Sequence, residues 1–191
     1  MSAEAKPLSL RDVYIEHLKD LYSAEHQIVE VLPAIVEKVT AQTVKDALQE
    51  HLNTTRTHIE RLDQIFAAFN QDPQGKKCVG MAGILQEGNE EMVRIMESTD
   101  LMDAVLIAAC LKVEHYEISA YETAIAFTQL LGETDASNLL TKTLEEEKAA
   151  QGNLGQLRLT EVMQSTDTLR SHNPEGRSIK NQITANDTLG G

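Results

Sequence analysis

The chain has no tryptophan, and aromatic residues fill only 4% of its 191 positions. A core must therefore be assembled from Leu, Ile, Val and Ala, which favours packed helices over sandwiches or barrels. Proline and glycine are scarce, at four and ten residues, and they lie mostly outside the long periodic runs. Two cysteines, Cys78 and Cys110, are too few for a disulfide framework, so a reduced cytoplasmic protein is the expectation. No apolar run reaches the ~18 residues of a membrane-spanning helix. The opening MSAEAKPLSLRD holds no apolar stretch of the kind a signal peptide needs. Positive charge is also short: 17 Lys and Arg stand against 30 Asp and Glu, a net charge of −13, with no basic stripe. Nucleic acid and membranes are thereby excluded as expected partners.

What remains is 41% hydrophobic, enough for one core, and it is helically periodic. After a leader over 1–8, Ser9 with Asp12 three residues on predicts a capped helix to Val39. Its seam of Tyr14, Leu18, Leu21, Glu25, Ile28, Leu32, Ile35 and Val39 alternates steps of four and three, as in a bundle helix. Pro33 should kink it. A second helix, capped by Thr43, runs to Phe69 with the seam Leu48, Leu52, Thr55, Ile59, Leu62 and Phe66. A shorter helix follows from Cys78, loosened by Gly80, Gly83 and Gly88. A third long helix starts at Ser98 or Asp100 and ends at Leu131, where Gly132 suits the left-handed terminating position. A fourth begins at Thr134 or Asp135 and runs to Met163. The polar segment 164–191 reads as an extended or disordered arm. The expected fold is thus all-α: a bundle of four long helices over 9–163 with a short extra helix between the second and third. The long connection lets the chain cross the length of the bundle, the one-crossover ferritin-like arrangement.

Charged residues fall on seams that should be apolar. Glu25, Glu114 and Glu147 point inward from three helices, and His51 and His115 from two. His58, Glu122 and Gln151 lie close enough to the seams to join them, whereas Glu117 reads as exposed. Lone buried charges are costly, and inward Glu and His from facing helices is the logic of carboxylate-bridged iron and manganese sites. Hard oxygen donors with a few imidazoles suit one or two ions of Fe or Mn. The competing interpretation is a structural layer without metal, in which Arg56, Lys112 or Lys148 neutralises the carboxylates and the layer sets helix register. Cys78, after Lys76 and Lys77 and at a helix start, is a candidate reactive thiol.

The segments DLYSAEHQ (20–27), GKKCVGMAGIL (75–85), AACLKVEHYEISAYET (108–123) and TLEEEKAA (143–150) resemble the YciE/YciF ferritin-like family of bacterial stress-associated proteins. The resemblance spans 8–163. It implies a rubrerythrin-like bundle, a homodimer, a metal site in the bundle and a stress association, without a defined reaction. Two departures stand out: Asn53-Thr54-Thr55-Arg56 occupies a stretch that is Glu-rich or Glu-x-x-His-like in relatives, and Gln151 replaces an Asp. The expected function is iron or peroxide handling at the core carboxylates. A non-catalytic helical oligomer or interaction protein is the alternative.

Overall fold

The computed structural model describes residues 8–95 and 99–172. Five helices follow in order: α1 (Leu10–Lys38), α2 (Gln42–Phe69), α3 (Val79–Arg94), α4 (Thr99–Leu131) and α5 (Thr134–His172). The cap at Ser9 forms as the sequence implies. Its hydroxyl accepts from the Asp12 amide at 3.2 Å, and the Asp12 carboxylate accepts from the Ser9 amide at 2.8 Å. α1 continues through Pro33. At the far end of α2, Asn70 takes a left-handed conformation (φ 51°) and the Gln71 amide reaches back to the Phe66 carbonyl. Gly132 does the same after α4 (φ 74°), with the Glu133 amide on the Thr128 carbonyl.

The start of α2 departs from expectation. Ala41, not Thr43, is the capping residue, and it offers no side-chain acceptor. Asp103 of α4 replaces it: its carboxylate accepts from the Thr40 amide, the Ala41 amide and the Thr40 hydroxyl, each at 2.7 Å. A residue distant in sequence caps the turn, so local spacing could not reveal it. α5 also extends past Met163 to His172, so 164–172 is helix rather than arm. The leader through residue 7 and the segment 173–191 lie outside the described residues.

α1 packs on α2 and α4, and α5 packs on the same two helices, closing a four-sided bundle. Thr40 meets Asp103 at one end of the α1–α4 pair, and His17 meets Ala120 toward the other, so these helices are antiparallel. α2 and α4 therefore run the same way, and the connection holding α3 must climb the full length of the bundle. This is the ferritin-like single crossover. α3 lies on α4 and α1. Its glycines do not break it, and two of them make its contact with α4: a Cβ on Gly80 would stand 2.8 Å from the Tyr116 ring, and one on Gly88 would stand 3.1 Å from Ala109. No described helix is long and apolar enough to cross a membrane.

The core is split in two. One apolar cluster gathers Ile28, Leu32, Leu48, Leu52, Ile107 and Leu111; the other gathers Tyr14, Leu18, Leu62, Phe66, Tyr121 and Leu140. Between them every long helix contributes polar side chains to a buried layer. The tie at Asp103 makes a local prediction: Asp103→Ala strands two backbone amides and should lower unfolding free energy by about 2–3 kcal/mol in urea titration.

Candidate metal centre

The layer comprises Glu25 of α1, His51 and His58 of α2, Glu114 and Glu117 of α4, and Glu147 of α5, all buried. Seven-residue spacing stacks the two histidines on one face of α2, and three-residue spacing does the same for the two glutamates of α4. His51 Nε2 lies 3.4 Å from Glu114 Oε1. His58 Nδ1 lies 2.8 Å from Glu147 Oε1 and 3.5 Å from Glu25 Oε1. Ligand atoms of His51, Glu114, Glu117 and Glu147 fall within 4.8 Å of one another, as do those of Glu25, His58 and Glu147. Donors ~2.1 Å from a common ion are about 3 Å apart when adjacent and about 4.2 Å apart when opposite, so these separations fit two subsets sharing Glu147.

The ionisation pattern follows from crowding. Burial, then the negative charge of Glu147 and Glu25, drives Glu114 well above the usual carboxylate range, and Glu117 follows for the same reasons. Burial also opposes ionisation of Glu147, but the facing His58 outweighs it and the net direction is downward. Burial opposes protonation of His58 too, yet Glu147 and Glu25 raise it to about 10. Burial lowers His51, which leaves its imidazole neutral with a lone pair to offer. Without a metal, protons are thus the counter-charge within the layer.

Hydrogen bonding satisfies only part of it. Glu147 Oε1 has His58 Nδ1 at 2.8 Å, whereas both oxygens of Glu117, one oxygen each of Glu25, Glu114 and Glu147, and His51 Nε2 are buried with no hydrogen-bond partner. Among the described residues, lysine and arginine do not reach them: Arg56 bonds Asn53, Lys112 pairs with Glu87 and Glu91, and Lys148 pairs with Glu122. The outer face is arranged instead. His58 Nε2 bonds Glu146 at 2.9 Å, and Arg61 holds Glu146 with two bonds of 2.6 and 2.8 Å. That clamp consumes Nε2 and turns Nδ1 into the layer, as a carboxylate behind a metal-bound histidine does. The Tyr121 hydroxyl donates to Glu25 Oε1 and fixes that carboxylate. Unpartnered hard donors, a neutral imidazole and an oriented second histidine make the set chemically apt for iron or manganese.

Of the residues singled out by sequence, Glu25, His51, His58, Glu114 and Glu147 meet in the layer. His115 does not: it is on the exposed side of α4. Glu122 is exposed and paired with Lys148 at 2.7 Å, and Gln151 is half-buried outside both ligand subsets. Glu117, expected outside, is fully buried. The cause is α3, which covers another side of α4, so apolar residues on that helix do not mark one inward face. The spacing Glu114, Glu117, Tyr121 was the signal that could have found the true one. Glu146 and Arg61 also escaped notice, since both look like ordinary surface charges. Asn53 and Arg56 bond each other on the surface, but Thr55 of the same stretch is fully buried between His51 and His58 and gives its hydroxyl to the His51 carbonyl at 2.8 Å; α2 supplies the layer with His51 and His58. Cys78 is fully buried between Tyr116 at 2.9 Å and Asp20 at 3.1 Å, and burial pushes its thiol up, away from the thiolate. Lys76 bonds the Glu16 carbonyl at 3.0 Å and lies 3.6 Å from Asp20.

A buried carboxylate–histidine layer inside a single-crossover bundle defines a ferritin-like all-α protein. The family described as Domain of unknown function (DUF892) matches residues 9–167, and the chain belongs to it. Protein YciF of Escherichia coli K12 is 39% identical over 155 residues, covering 81% of this chain and 93% of that protein. The crystal structure of the E. coli stress protein YciF superposes with a TM-score of 0.77 at 38% identity, over 82% of this chain and 98% of the other. YcfI from Rhodopseudomonas palustris gives 0.75 at 37% identity, over 81% and 97%. A Xanthomonas campestris protein at 15% identity shares the fold alone, with a TM-score of 0.66 over 84% and 98%.

The layer makes its own prediction for the metal-free chain. Glu114 and Glu117 keep protons that the unfolded chain releases near pH 4.5, so stability should fall as pH rises above that value. Glu117→Leu should flatten this slope and raise neutral-pH stability by about 1–3 kcal/mol in denaturant titrations.

Proposed function

We propose that the layer is a metal centre holding one or two first-row divalent ions, iron or manganese, in a cytoplasmic stress protein that handles iron or peroxide. The observation that carries this reading is the set of buried carboxylate and imidazole atoms within 4.8 Å of one another, most of them without a hydrogen-bond partner and, among the described residues, with no lysine or arginine beside them. One ion would be held by His51, Glu114, Glu117 and Glu147, and a second by Glu25, His58 and Glu147. Iron or manganese so held would supply one-electron redox chemistry toward oxygen or peroxide. The chain's own part is to prepare the donors. Glu114 and Glu117 give up their protons to the solvent when a cation replaces them. Glu146 and Arg61 keep His58 Nδ1 aimed inward, and Tyr121 keeps Glu25 in place. The E. coli relative's description as a stress protein supports the physiological setting.

The test is a metal count on tag-free protein loaded anaerobically with Fe(II) or Mn(II). One to two ions per chain are expected, and none in a Glu114→Ala/Glu147→Ala double variant. Glu146→Ala should weaken binding by about 10–100-fold while leaving the count intact at saturation. No metal in the wild type would overturn the reading and leave a structural polar layer. The assembly we propose is a homodimer, supported by the exposed Leu8, Val79 and Leu130; light scattering should return twice the 21.1 kDa chain mass.

A further inference from the structure

The polar layer has an apolar neighbour. A cavity of about 120 Å³ lies between α1, α3 and α4, walled by Ile28, Leu32, Leu85, Met92, Leu106 and Val113. Of its lining residues Ala34, Lys38 and Asn89 are exposed, which places its mouth, whereas His51 and Glu114 are buried and lie at its inner end. Small residues keep it open: Gly88 and Ala109 both line it, and α3 and α4 approach closely there. A dry cavity of about 150 Å³ lined by Leu, Ile and Phe is enough to take up benzene. This one differs in having two buried polar atoms without partners at its end, His51 Nε2 and Glu114 Oε2. An apolar pocket with a few convergent polar groups is the usual form of a small-molecule site.

We propose that this cavity binds a small, uncharged, mainly apolar molecule with a single polar end, the apolar body against the α1, α3 and α4 side chains and the polar end at His51 and Glu114. The size admits a ring or short chain of roughly benzene's bulk and excludes long acyl chains. The uncharged class follows from the walls, which offer a charged body no partner; Lys38 stands only at the mouth. A hydroxyl is the fitting polar end, since it can bond Glu114 Oε2 or His51 Nε2 and so satisfy an atom the fold leaves unpaired. The site does not need a metal.

The experiment is calorimetric titration of the full-length, chelator-treated chain with phenol and, in parallel, with benzene. Saturable one-to-one phenol binding is expected, with benzene at least threefold weaker. Ala109→Leu, which fills the cavity from α4, should weaken phenol at least tenfold. Leu85→Trp fills it from α3 and serves if the first variant fails to fold by circular dichroism. Absence of saturable phenol binding, or wild-type affinity in a folded cavity-filling variant, would overturn the proposal. Benzene binding as tightly as phenol would overturn the assignment of the polar end. Ala109→Leu should keep the wild-type metal count, so failure of the cavity and failure of the metal reading are separable outcomes.

Discussion

Four carboxylates sit within one buried layer, and among the described residues no lysine or arginine touches them. A single ion desolvated in this way costs several kcal/mol even after relaxation, and like charges at these distances cannot all ionise. The rest of the architecture is arranged around that constraint. All four long helices must contribute to the layer, because a single helix could not place so many donors on one inward face. The two apolar clusters above and below the layer hold the helices in register against the local electrostatic cost. The counter-charge then has to be a proton or a bound cation.

Supporting contacts follow from the same demand. An imidazole can offer only one nitrogen inward, so the other must be occupied. Glu146 occupies it, and Arg61 holds Glu146 in turn. This arrangement is electrostatically distinct from the layer itself, since Arg61 lowers Glu146 and keeps it ionised while Glu114 and Glu117 hold protons. Charge is therefore graded across α2 and α5, from a conventional ion pair at the surface to a proton-sharing cluster inside. α3 performs a different service. It seals the α1–α4 face with Cys78 locked between Asp20 and Tyr116, yet it leaves an apolar cavity against His51 and Glu114. The layer is thus approached from one side by hydrocarbon and enclosed on another by paired charges.

The amino-acid sequence by itself determined the helical class, the crossover topology, the capping box at Ser9, the stop at Gly132 and the inward direction of Glu25, Glu114 and Glu147. These depend on periodicity and local backbone chemistry, which act over a few residues. It also carried the family, through segments the chain shares with its YciF-like relatives. Tertiary structure alone decided the rest. α4 is covered on several sides, so its apolar residues could not mark which face carried the site; Glu117 turned in and His115 turned out. Asp103 caps α2 from a different helix, and Glu146 and Arg61 become a clamp only because α2 and α5 bring them together. Cys78 is buried against Asp20 and Tyr116, which no neighbouring lysine in sequence could foretell. Each of these depends on which surfaces meet, and that is settled only when distant helices pack.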